Sequence, residues 1–183
     1  MQRLSAIGNT LRVQRTMTDS VETPPDAAAG PAAVWAGGKP VSAEWLTRWR
    51  AEPLHAFLDL TLEAQRDGYC RIVLRMGPRT RGGVGGSVHG GILATLVDIV
   101  TIGAVASAIG PNDVMNGTAE LNISYLRPAL GALVVAEGRV LKQGRSLAVV
   151  DADCSDGAGR LFARGRAQYA LRQREAANRA AAT

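Results

Sequence analysis

The chain is poor in the residues that build many common sites. Across 183 residues, Phe, Trp and Tyr make up only 4%, and there are two histidines (His55, His89), two cysteines (Cys70, Cys154) and two lysines (Lys39, Lys142). So few aromatics leave little to stack the bases of single-stranded nucleic acid. The net charge of +5 is carried by arginine. These bases are scattered among acids rather than gathered into a patch, so no nucleic-acid partner is expected. The cysteines stand far apart, without a Cys-x-x-Cys or Cys/His spacing, which signals neither a metal site nor a disulfide scaffold. A reducing cytoplasm is the expected compartment. The start, MQRLSAIGNTLRVQRTM, is Arg-containing and acid-poor but lacks the apolar core of a secretory signal.

Hydrophobic residues nevertheless reach 46%, enough for one packed core in a chain of this length. Residues 1–40 show little periodicity and include ETPPDAAAGPAA, a linker-like composition, so they are expected to form a disordered or loosely docked extension. The domain is expected over 41–171, with a frayed tail over 172–183. Ser42 is a plausible N-cap for a short helix in which Trp45, Leu46 and Trp49 share a face. LDLTLEAQ and YCRIVLRM, joined by Arg66-Asp67-Gly68, read as a hairpin. Residues 80–91, TRGGVGGSVHGG, are too glycine-rich for a regular element and are expected to bring backbone close to something.

From Ile92 to Ile109 the only charge is Asp98. The run approaches the length of a membrane span. Its central carboxylate and its Gly, Ser and Thr content favour instead a buried helix wrapped by a sheet, so no membrane partner is expected. Four strand-like segments follow, GTAELNISYL, ALVVAEGRVLK, SLAVVDADC and LFARGRAQYAL, separated by RPALG, QGR and SDGAGR. Short turns predict that successive strands pair as an antiparallel meander. The whole is α+β: an antiparallel sheet with one central helix on a face.

Two features point to chemistry. Asp98 is an ionisable group in an apolar helix, and such a carboxylate loses hydration worth several kcal/mol unless something compensates it. His89-Gly90-Gly91 stands at the head of the same helix, where unsatisfied amides meet the positive end of the dipole and can polarise a carbonyl. His89 and Asp98 are nine positions apart, about 13.5 Å of helical rise. That is too far for both to touch one carbonyl within a subunit, so two-fold pairing of chains is expected if both act.

HGGILATLVD, with TAELNISYLRPA and VLKQGRSLAVVDADC in matching order over about residues 55–171, resembles the hotdog-fold acyl-CoA thioesterases of the phenylacetate-pathway type, within the 4-hydroxybenzoyl-CoA thioesterase superfamily. The resemblance implies a hotdog fold, an acyl- or aryl-CoA substrate, no cofactor or metal beyond that substrate's own coenzyme A, and a homodimer or dimer-of-dimers tetramer. It implies that Asp98 is the nucleophile or base, that the Gly90 amide polarises the thioester carbonyl with His89 beside it, and that Thr118 helps hold the attacking water. Gly91 is expected to add a second amide.

One departure stands out, because Gly83 occupies the substrate-binding position where the family often has Asn. Arg127, Lys142 and Arg145 flank turns and are candidates for the phosphates of coenzyme A. His55 is read as structural. The alternative function is a non-catalytic hotdog protein that binds or senses acyl-CoA.

Overall fold

The computed structural model describes residues 43–173. The extension over 1–40, Ser42 and the tail beyond residue 173 lie outside them. The helical run expected near the start is two helices, α1 (Ala43–Ala51) and α2 (Pro53–Phe57). Pro53 explains the break: it restricts Glu52, which is extended at φ −70°, ψ 117°, and it cannot donate to a helical bond. Trp49 is buried against His55, whose ring centroid is 3.9 Å away and whose Nδ1 lies 3.1 Å from the Trp49 carbonyl.

Strands β1 (Leu60–Arg66) and β2 (Tyr69–Arg75) form the hairpin read from the sequence. Asp67 and Gly68 both take positive φ, 41° and 80°, as a two-residue turn matched to strand twist requires. Helix α3 (Gly90–Ala108) then runs over the sheet. Gly90 and Gly91, expected in the preceding loop, are its first two residues. The helix is long and apolar enough to cross a membrane by length and composition. Here it packs on all six strands, with Leu96, Val97, Val100 and Val105 fully buried.

Strands β3 (Asp113–Tyr125), β4 (Leu133–Gln143), β5 (Leu147–Ser155) and β6 (Leu161–Gln173) follow. β6 extends two residues past the expected boundary at 171, with Arg172 and Gln173 paired to Val114 and Asp113. The sheet order is β1-β2-β4-β5-β6-β3, antiparallel throughout. The expected meander is therefore corrected in one respect: β3 pairs with β6, not with its successor β4. The RPALG segment is a crossover, anchored by the Val88 amide donating to the Ala129 carbonyl at 3.0 Å. With β5 and β6 between them, β3 and β4 are separated by about 14 Å of sheet width, which no tight turn spans.

The helix lies close on the sheet because glycines face it. A Cβ on Gly165 would stand 2.7 Å from Val97 Cγ1, and one on Gly138 would stand 2.8 Å from the Val100 carbonyl oxygen. The opposite sheet face is polar and ion-paired, with two-point Arg164–Asp153 and Arg166–Asp151 contacts at 2.6–2.9 Å.

Candidate active site

The head of α3 is held in place by its own loop. His89 is the N-cap, extended at φ −62°, ψ 136°, and its Nδ1 accepts the Gly91 amide at 3.0 Å. A nitrogen that accepts carries no proton, so in the neutral ring the proton sits on Nε2. The His89 amide donates to the Thr80 carbonyl at 2.9 Å. The Gly90 amide has no acceptor among the described residues, and it points out of the positive end of a 19-residue helix. On its other side the Gly90 carbonyl accepts the Tyr125 hydroxyl at 3.1 Å. A cavity of about 410 Å³ opens here, walled by apolar groups including Val84, Val88, Leu93, Tyr125 and Leu126.

The second half lies further along the helix. Asp98 is half-buried, and its Oδ1 accepts the Thr118 hydroxyl at 2.6 Å. That contact depends on a fault in β3. Leu121, Ile123 and Tyr125 pair with the inward-facing Ala167, Gly165 and Ala163, so unbroken alternation would turn Thr118 to the outer face. The register shifts between Thr118 and Glu120, which makes Ala119 an extra residue and sets Thr118 opposite the inward Tyr169. The bulge thus aims the hydroxyl at the carboxylate. Tyr169 is buried beneath the pair, and its phenol is pushed above the ordinary tyrosine range, first by burial and then by the Asp98 charge.

The chain brings His89 to Gly90 and Thr118 to Asp98, but not one pair to the other. Gly90 and Asp98 are separated by about 12 Å of helical rise. The amide of Gly91, expected to face substrate, is already taken by His89. A side chain at Gly83 has no room: its Cβ would stand 2.3 Å from Ser87 Oγ and 2.6 Å from the Val88 carbonyl oxygen. Arg127 lines the cavity, with its guanidinium donating to the Leu161 carbonyl at 2.7 Å. Lys142 and Arg145 lie at the far end of the sheet, where Gln143 and the Gly110 amide at the tail of α3 both meet Asp113.

Tyr125 and Tyr169 were missed by sequence reasoning. The alternation of Leu121, Ile123 and Tyr125 could have placed Tyr125 on the inner face. Nothing in the sequence marks the bulge that pairs Tyr169 with Thr118.

An α+β chain with one long helix across a six-stranded antiparallel sheet, an unclaimed amide at the helix head and a tethered carboxylate midway defines a class, the hotdog-fold proteins. The sequence model of the thioesterase superfamily matches residues 85–163. A conserved Pseudomonas aeruginosa protein of known structure is 30% identical, with a TM-score of 0.60 over 66% of this chain and 94% of that one. Human acyl-coenzyme A thioesterase 13 is 42% identical over 84 residues, which cover 44% of this chain and 58% of the human protein. The chain thus spans little more than half the length of that curated relative. Thioesterase HI1161 of Haemophilus influenzae shares the fold at a TM-score of 0.65 and 18% identity, over 74% of this chain and 94% of that one. This chain belongs to the thioesterase superfamily.

Proposed function

We propose that the protein hydrolyses an acyl- or aryl-CoA thioester to the free acid and coenzyme A. The observation that carries this reading is a single helix with a free carbonyl-polarising amide at Gly90 and a carboxylate held by Thr118 at Asp98. The thioester oxygen accepts the Gly90 N–H, which favours the negative charge that grows there as the carbonyl carbon becomes tetrahedral. His89 Nε2–H is a second donor beside it. Asp98 either takes a proton from a water held with Thr118 or attacks the carbonyl itself. In both routes the C–S bond breaks, the thiolate leaves and is protonated, and one water is consumed. No cofactor is needed beyond the coenzyme A carried by the substrate.

The two groups act on one carbonyl when Gly90 comes from one subunit and Asp98 from a two-fold partner, so a homodimer is the smallest active unit. Arg127 is the base best placed for the phosphates of coenzyme A, because it lines the cavity beside Gly90.

The test is release of free thiol from a panel of acyl- and aryl-CoA esters. Asp98→Asn is expected to lower turnover by about 10²–10⁴-fold, the usual worth of a positioned base. Equal turnover in both proteins would sink the reading. Saturable acyl-CoA binding with no thiol release would support the alternative of a non-catalytic binder, for which the bare backbone at Gly83 is the motive.

A further inference from the structure

We propose that Tyr169 is a positioning residue, whose phenol grips the Gly117 backbone and so keeps the Thr118 hydroxyl on the Asp98 carboxylate. This rests on the reading of Asp98 as the base or nucleophile of the hydrolysis.

The part of β3 that carries Thr118 is held by a very short piece of ladder. Its register against β6 shifts between Met115 and Gly117, and again between Thr118 and Glu120. Asn116 and Ala119 are both extra residues, and Gly117 and Thr118 are left as a two-residue step between two bulges, opposite Ala170 and Tyr169. A ladder interrupted on both sides fixes such a step less firmly than an unbroken one, because the extra residues can take up a shift. The Thr118 hydroxyl nevertheless meets Asp98 at 2.6 Å. Something besides the ladder must set the step.

Tyr169 is in the place to do so. On the inner face of β6 it stands in a row with Ala163, Gly165, Ala167 and Leu171, and it is the polar member of that row. It is only 6% exposed. A buried hydroxyl without a partner would be worse there than a plain phenyl ring. The partner is the Gly117 backbone. Burial and the Asp98 charge push the phenol up, and the Gly117 bond pulls the other way, as an N–H donated to the phenol oxygen does. One side chain thus holds the step that carries Thr118 and lies in the field of the carboxylate that Thr118 serves. Gly117 itself has φ 110°, and a Cβ there would meet nothing within 4 Å. Glycine is therefore needed for the bend of the backbone rather than for room. The bend and the phenol bond fall on the same residue.

Tyr169→Phe keeps the ring and removes only the oxygen, and Tyr169→Met removes it with a flexible chain that adapts to the core. Either variant is expected to lower kcat by about 3- to 10-fold with KM nearly unchanged, the worth of one hydrogen bond. The decisive comparison is a double-mutant cycle. If Tyr169 acts through Thr118, the same substitution made in Thr118→Val should lower kcat by less than about 2-fold, because the hydroxyl it positions is already gone. An equal loss in both backgrounds, or no loss in either, would overturn the proposal.

Amide hydrogen exchange followed by NMR gives a readout that needs no turnover. The Gly117 amide should exchange several-fold faster in Tyr169→Phe, while the amides of the central strand β5 keep their rates. An unchanged rate at Gly117 would equally overturn the proposal. If the wild-type protein releases no thiol from any CoA ester, the hydrolase reading fails by itself, and the exchange rates still decide whether the phenol holds the β3 step.

Discussion

Thr118 Oγ1 donates to Asp98 Oδ1 at 2.6 Å, and the bulge at Ala119 is what turns the hydroxyl inward to do so. A hydrogen bond to a charged group is worth about 1.5–3 kcal/mol. Thr118→Val keeps the shape and removes the donor, and it is expected to lower kcat by about 10- to 100-fold with KM nearly unchanged. Thr118→Ser should retain most of the rate. Steady-state kinetics of the two variants decide the matter, and a rise in KM alone would show that the hydroxyl serves binding.

Gly83 answers a different question, whether an amide side chain can be put back in the loop. The Cβ of any other residue would stand 2.3 Å from Ser87 Oγ. Gly83→Asn is therefore expected to lose about 1–3 kcal/mol, the range of an overpacked site, and to give no faster turnover. Adding Ser87→Gly removes the hydroxyl obstacle but not the Val88 carbonyl 2.6 Å away. The double variant should recover only part of the lost stability in a thermal melt.

How much of this was legible in the sequence follows from how local each signal is. The hairpin turn at Asp67-Gly68, the long helix around Asp98 and the helix head at His89 are written in neighbouring residues. The pairing of β3 with β6 was not, because a turn-rich segment such as RPALG looks the same whether it closes a hairpin or crosses a sheet. The amide of Gly91 was miscounted for a related reason. Whether a helix-head amide is free depends on the rotamer of the capping His89, which the motif does not record. Tyr125 needed the alternation of its strand to be followed to the end, and Tyr169 needed a bulge that composition does not announce.

The two thiols supply a pH test of the core. Burial pushes both Cys70 and Cys154 up from 9.0 to about 12, with the Asp153 charge adding to the effect at Cys154. Between those values the unfolded chain releases protons that the folded chain keeps. Stability is then fully present below pH 9 and falls as pH rises toward 12, by about 1.4 kcal/mol per pH unit for each thiol. Denaturant melts from pH 8 to 11 should show that decline, and it should shrink in Cys70→Ala. At pH 8 the folded protein should resist a thiol reagent that labels both cysteines once it is unfolded.

Gly90→Pro isolates the contribution of the backbone amide. Proline suits the first position of a helix, and His89 already holds the extended backbone that a residue before proline prefers. The Tyr125 ring, 3.3 Å from the new Cβ, need yield only a few tenths of an ångström. The variant should therefore fold and lose about 10²–10³-fold in kcat, the worth of one oxyanion donor. Asp98→Asn should be inactive for the opposite half of the site. If each site takes Gly90 from one chain and Asp98 from the other, a mixed dimer of these two variants contains one intact site and one doubly damaged site. Random exchange of equal amounts should then restore about one quarter of the wild-type sites. Two inactive proteins that stay inactive after verified exchange would mean that both groups act from the same chain, against the 12 Å that the helix puts between them by its rise of about 1.5 Å per residue.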